Sequence, residues 1–142
     1  MLNYGYRQYQ QMQTHTASPG QLVIMLYQGA IKFLVKASSE LEAGNTEGTH
    51  YNLVRAQDIV IELMTGLDLS AGPVAADLHA LYGYIYRRLV EANVRKDAQA
   101  IHDVIAMLRD LLLAWEEAVA AVEGSHAPAA STANLHLVGL NA

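Results

Sequence analysis

Few residues in this chain are placed to do chemistry. Glu47 and His50 stand three apart, the spacing at which helical bundles present a carboxylate and an imidazole to a metal ion from one helix face. A di-metal site of that kind needs the motif twice, with further glutamates facing inward, and His79, His102 and His136 have no glutamate three residues before them. Glu47 falls in the first turn of an expected helix, where negative charge is favourable without any metal. Serines 18, 38, 39, 70, 125 and 131 carry no nucleophile signature. The chain has no cysteine, which excludes disulfides, thiolate metal sites and thiol nucleophiles. No glycine-rich phosphate loop occurs, and the carboxylates are scattered over what read as outer helix faces. The sequence supports no enzyme, cofactor or metal centre. Its function is to be sought in surfaces.

Composition points the same way. Apolar residues make up 52% of the 142 residues and charged ones 16%, greasy for a small soluble domain. Either the core is large for the chain, or apolar surface is left over for a partner. A net charge of −5 argues against broad nucleic-acid binding. The one basic cluster, Arg87, Arg88, Arg95 and Lys96, falls near an expected helix end, where cations complement the helix dipole. The N-terminal MLNYGYRQYQQMQ has no apolar secretory core. No uninterrupted run of about 18 apolar residues suggests membrane insertion.

Apolar periodicity defines four helices. The first starts at Ser18-Pro19-Gly20-Gln21, a serine cap with proline at the first helical position and glutamine three residues on, and stops at Ala43-Gly44-Asn45. Leu22, Met25, Leu26, Ala30, Phe33, Leu34, Ala37 and Leu41 form its core face. The second begins near Thr46, carries Leu53, Ala56, Val60, Leu63, Met64 and Leu67, and ends in the turn at Ser70-Ala71-Gly72. The third starts at Gly72-Pro73, with Val74, Leu78, Leu81, Tyr82, Ile85 and Leu89, and ends around Asn93 to Arg95. Asp97 caps the fourth, which runs to Gly124 through Ile101, Val104, Ile105, Leu108, Leu111, Leu112, Trp115, Val119 and Val122. Such helices with short connections predict an all-α fold, an antiparallel up-down four-helix bundle. Three regions follow: an N-terminal arm over 1–17, the bundle over 18–124, and a flexible tail over 125–142. The tail is a Ser/Ala/Pro/Thr linker ending in the apolar run Leu135-His-Leu-Val-Gly-Leu140.

The first helix has more apolar surface than one face needs. At about 100° per residue, Ile24, Ile31 and Val35 fall away from the core face, with Tyr27 beside them. On the third helix Tyr84 and Tyr86 flank the core stripe on opposite sides, so at least one ring edge should reach a groove. These surfaces suit another chain's apolar side chains in the helix-in-groove mode. The arm adds Tyr6 and Tyr9, and the run 135–140 is a candidate to fold back over a groove in competition with cargo. A homodimer burying the same stripe is the structural alternative.

The order Tyr6-x-x-Tyr9, Thr16-Ala-Ser-Pro-Gly-Gln-Leu, Met25-Leu-Tyr-Gln-Gly-Ala-Ile-Lys-Phe, Gly44-Asn-x-Glu-x-x-His, Arg55-Ala-Gln-Asp-Ile, Leu81-Tyr-Gly-Tyr, Arg88-Leu-x-Glu-Ala-Asn and Trp115 resembles the FliS family, cytoplasmic export chaperones of flagellin. The resemblance covers roughly residues 4–123. It implies a four-helix bundle that binds the disordered C-terminal segment of flagellin, prevents premature polymerisation, and delivers it to the export gate of the flagellar type III apparatus. It also implies a contact role for Tyr6 and Tyr9. Gln28 and Gly83 depart from the family's usual residues, and the tail from Ser125 exceeds what the family core requires.

Overall fold

The protein is described here by a computed structural model, over residues 18–124. The arm with Tyr6 and Tyr9, and the tail with the run 135–140, lie outside the described residues.

Four helices form where the periodicity places them: α1 over Pro19–Glu42, α2 over Thr46–Thr65, α3 over Pro73–Arg95 and α4 over Ala98–Gly124. Each boundary has a local cause. Ser18 Oγ accepts from the Gln21 N–H at 3.2 Å while Gln21 Oε1 accepts from the Ser18 N–H, a complete capping box. Gly44, at φ +77°, turns the chain after α1, a conformation costly for any residue with a Cβ. Asn45 caps α2 through the Gly48 N–H. Asp68 caps a short 3-10 turn, Leu69–Ala71, and Asp97 Oδ1 accepts from Gln99 and Ala100 at the start of α4. The α3–α4 turn ends in Lys96 at φ +51°, steadied by its Nζ donating to the Asn93 carbonyl and Oδ1.

The helices pack in a ring, α1 on α2, α2 on α3, α3 on α4 and α4 on α1, with the α1–α2 contact the most extensive and α3–α4 the least. Side-chain links give the directions. Ser18 and Gln21, at the start of α1, bond Glu123 at the end of α4, and Ser38 near the end of α1 bonds His102 near the start of α4. His50 early in α2 meets Asn93 late in α3, and Arg88 of α3 pairs with Asp103 of α4. Neighbours therefore run antiparallel.

The core is mostly aliphatic, with Tyr27, Tyr82 and Trp115 as its aromatic residues and Thr49 and Asn52, early in α2, as its buried polar ones. Leu34, Leu53, Val60, Ile85, Leu89, Ile101, Val104 and Leu108 are fully buried, each contributing about 1.5–3 kcal/mol by leaving water. Two expected positions differ. Val74 is 49% exposed, and the small Ala75 packs inward instead. Val23 rather than Leu22 lies on the core side of α1.

By length and composition α1 is also apolar enough to cross a membrane, with a mean hydropathy of 1.2 over its best window. Its contacts with α2 and α4 give that apolar content another use.

Candidate partner-binding surface

The site begins with α1, whose buried meridian is Val23, Tyr27, Ala30, Leu34 and Ala37. That corrects the expected position of Tyr27, which is fully buried and not on an outer stripe. The half-buried Leu22, Met25 and Phe33 draw the apparent apolar face toward α2 and tilt the expected core direction away from Tyr27. Gly29 marks that α2-facing side, since a Cβ there would lie 3.4 Å from Ile59.

Tyr27 has a structural task. Its hydroxyl lies 2.6 Å from the Tyr82 hydroxyl of α3 and accepts from Trp115 Nε1 of α4 at 3.2 Å. The two phenol rings meet edge to face, centroids 6.3 Å apart, a favourable aromatic geometry. Three helices thus meet at one buried polar knot, and α1 and α3 are linked across the bundle. Burial raises both phenols above the ordinary tyrosine range, Tyr27 the more strongly, with the Tyr82 hydroxyl adding to the effect on Tyr27.

The remaining stripe residues line the seam between α1 and α4. Ser38 bonds His102 across it at 2.9 Å. Ile31 and Ile24 lie seven and fourteen residues before Ser38, so they share its face of the helix. Ile24 and Ile31 are half-buried against the core, while Val35 is 45% exposed. On α4, Leu113 lies eleven residues after His102, three helical turns along the same face, and is 63% exposed. The seam thus has an aliphatic floor with Val35 and Leu113 exposed beside it, and exposed Arg109, seven residues after His102, on the same α4 face. Its ends are closed by the Ser38–His102 link and by Gln21 Nε2 donating to Glu123 at 2.7 Å.

The α3–α4 seam differs in character. Tyr84 is 47% exposed and Tyr86 half-buried against the core. One turn beyond Tyr84, Arg88 bridges to Asp103 at 3.1 Å and to Glu91 at 2.7 Å. Hydrogen bonds from Gln99 and Arg88 hold the Asp103 carboxyl below the usual carboxylate range. Of the basic cluster, Arg88 is thus engaged by carboxylates and Lys96 by the turn it closes.

Glu47 lies exposed in the first turn of α2, and His50 uses Nδ1 on Asn93. Glu123 also stands three residues before a histidine, but it receives Ser18 and Gln21, and His126 lies outside the described residues. No group of three metal-binding side chains occurs among the described residues. Pattern reasoning did not single out the exposed Tyr51 and Val94. Tyr51 lies under the Arg55 guanidinium, 5.6 Å from ring to carbon, a contact that sequence spacing alone permits at i, i+4.

The family described as Flagellar protein FliS matches residues 1–122. The chain belongs to the FliS family. Its bundle is similar to the flagellar secretion chaperone FliS of Bacillus subtilis (strain 168), 38% identical over 114 residues, 80% of this chain and 85% of that protein. The Salmonella typhimurium FliS is 41% identical over 104 residues, 72% and 77% of the two chains. The Escherichia coli K12 FliS is 38% identical over 106 residues, 73% and 78%. The FliS match thus takes in all four helices and stops two residues before the end of α4.

Proposed function

We propose that this protein is a cytoplasmic flagellar secretion chaperone that binds the C-terminal segment of flagellin, keeps it from polymerising, and passes it to the export gate. The family match across the whole bundle carries this reading, since the relatives it resembles are themselves named flagellar secretion chaperones. The geometry supports it with seams that expose Val35 and Leu113 on one side and Tyr84 on another, among charged neighbours. Such seams suit an amphipathic segment with anchors at helical spacing. Among the candidate contacts, Ile24, Ile31 and Val35 form the α1–α4 set, and Tyr84 with Tyr86 the α3 set. Tyr6 and Tyr9 join them on the strength of the resemblance. Tyr27 drops out as a direct contact and acts by holding α1 against α3.

The chemistry asked of the site is modest. A disordered segment that folds on binding spends about 2–5 kcal/mol of the gross interaction on its own ordering, which keeps the complex releasable for export. The test is flagellin polymerisation followed by light scattering. An equimolar amount of this protein should suppress filament growth, and Val35→Asp should relieve the suppression. Unimpeded growth at equimolar protein would refute the proposal.

A further inference from the structure

We infer that charge fixes the direction of the cargo in the α1–α4 seam: the end of the flagellin C-terminal segment, with its free α-carboxylate, lies among Lys32, Lys36 and Arg109 beside Val35. This direction rests on the flagellin-binding function proposed above; an aliphatic floor alone would accept a helix either way round.

The placement starts from α4. His102, Arg109, Glu116 and Glu123 recur every seven residues, so they share one face of the helix. Both ends of that line bond α1, His102 to Ser38 and Glu123 to Gln21, so the line follows the seam. Arg109 stands a third of the way along it, level with Lys32 on α1, and Glu116 two thirds of the way, level with Tyr27 and Gln28. Lys32 lies three residues before Val35 and Lys36 directly after it. Lys32, Lys36, Arg109 and Glu116 are all exposed. None of them makes a hydrogen bond or ion pair among the described residues.

Charge is segregated along both helices. Lys32, Lys36 and Arg109 are the only lysines and arginines of α1 and α4. α1 has no carboxylate before Glu40, which Asn45 holds, and Glu42 lies beyond the Ser38–His102 link. Asp103 faces α3 through Arg88. After Arg109, the charged residues of α4 are Asp110, Glu116, Glu117 and Glu123, all carboxylates; Asp110 and Glu117 sit about 100° round the helix from Arg109 and Glu116. The seam is therefore cationic around Val35 and anionic toward Ile24. The dipoles of α1 and α4 run oppositely and cancel along it, which leaves the side chains to decide. A helical segment presents partial positive charge at its N-terminus and partial negative charge at its C-terminus. A C-terminal segment adds a full carboxylate, which guanidinium and ammonium groups bind by charge-assisted hydrogen bonds. The favourable direction is parallel to α1. Ile24 and Val35 are eleven residues apart, about 16 Å at 1.5 Å per residue, so about three turns of cargo helix fill the floor between them.

Two synthetic peptides of the cognate flagellin C-terminal segment, one ending in the free carboxylate and one in the amide, test this by calorimetric titration into the full chain at low salt. The amide should bind several-fold more weakly. Arg109→Glu should remove most of that difference at an unchanged melting temperature, and Arg109→Lys should retain it. Equal affinity of the two peptides for the wild-type chain would overturn the inference. Nitroxide labels on the carboxylate peptide read the direction itself. A label near its C-terminus should weaken the backbone amide signals of Val35 and Lys36 several-fold, and one eleven residues upstream those of Ile24 and Glu116. The reverse pattern, or loss centred on Tyr84, would overturn the direction and leave the function standing. A doubling of mass that Arg109→Glu abolishes would mark a second copy as the occupant and overturn it too. Failure of both peptides to bind the wild-type chain would instead refute the proposed function, and the direction with it.

Discussion

Tyr27 shows how a single side chain can be mistaken for surface. Its place among Ile24, Ile31 and Val35 makes it look like one of a contact set, yet it is fully buried and accepts a hydrogen bond from Trp115. Apolar periodicity registers how greasy a face is but not where a hydroxyl finds its partner, and that partner, Tyr82, is fifty-five residues away. Tyr27→Phe should lower unfolding stability by about 1–3 kcal/mol, because buried donors are left without an acceptor. Urea titration followed by the fluorescence of Trp115, the only tryptophan, measures this directly. The combined Tyr27→Phe, Tyr82→Phe change should cost less than the sum of the two single changes, since both remove the same bond. The knot also sets a pH limit. Both phenols have folded pKa values raised above the ordinary 10.0. The unfolded chain therefore gives up these protons first, so stability is fully present below about pH 10 and is lost as pH rises beyond it. In an absorbance titration of the eight tyrosines, Tyr27 and Tyr82 should ionise only as the bundle unfolds.

At the scale of elements, caps and turns are local matters, and the sequence discloses them well. Ser18-Pro19 starts α1, Gly72-Pro73 introduces α3 and Asp97 caps α4, each through bonds made within a few residues. Gly44 is the sharpest case. Nothing lies within 4 Å of a Cβ built there, but its φ is +77°, so Gly44→Ala should cost about 1–2 kcal/mol through backbone conformation alone. A thermal melt would show it, and an unshifted midpoint would mean that the α1–α2 turn can adopt another shape. Gly83 should behave oppositely. A Cβ there would meet the ends of two flexible side chains, Arg87 at 3.4 Å and Met64 at 3.9 Å, so Gly83→Ala should raise stability by about 0.5–1 kcal/mol. What local signals leave out is how far each helix is rotated about its axis. The true meridian of α1 follows from which neighbours Ser38 and Gly29 face, α4 and α2, and those neighbours come from distant parts of the chain. The surplus stripe is therefore smaller than its apolar count suggests, since Ile24 and Ile31 also pack against the core.

For the molecule as a whole, the ring of antiparallel helices leaves apolar residues exposed along its seams, Val35 and Leu113 among them. Val35 is the most direct probe of the α1–α4 seam, because its exposure lets a charge be introduced without opening the core. Ile31→Asp would mix lost binding with lost packing, given its contact with the core. Val35→Asp should preserve helicity and melting temperature while weakening cargo binding at least several-fold. The deciding measurement is a calorimetric titration of the full chain with the C-terminal segment of its cognate flagellin at several temperatures. The account predicts saturable 1:1 binding with a negative heat-capacity change, the mark of apolar burial coupled to folding. Absence of binding at every temperature, with micromolar protein, would contradict it.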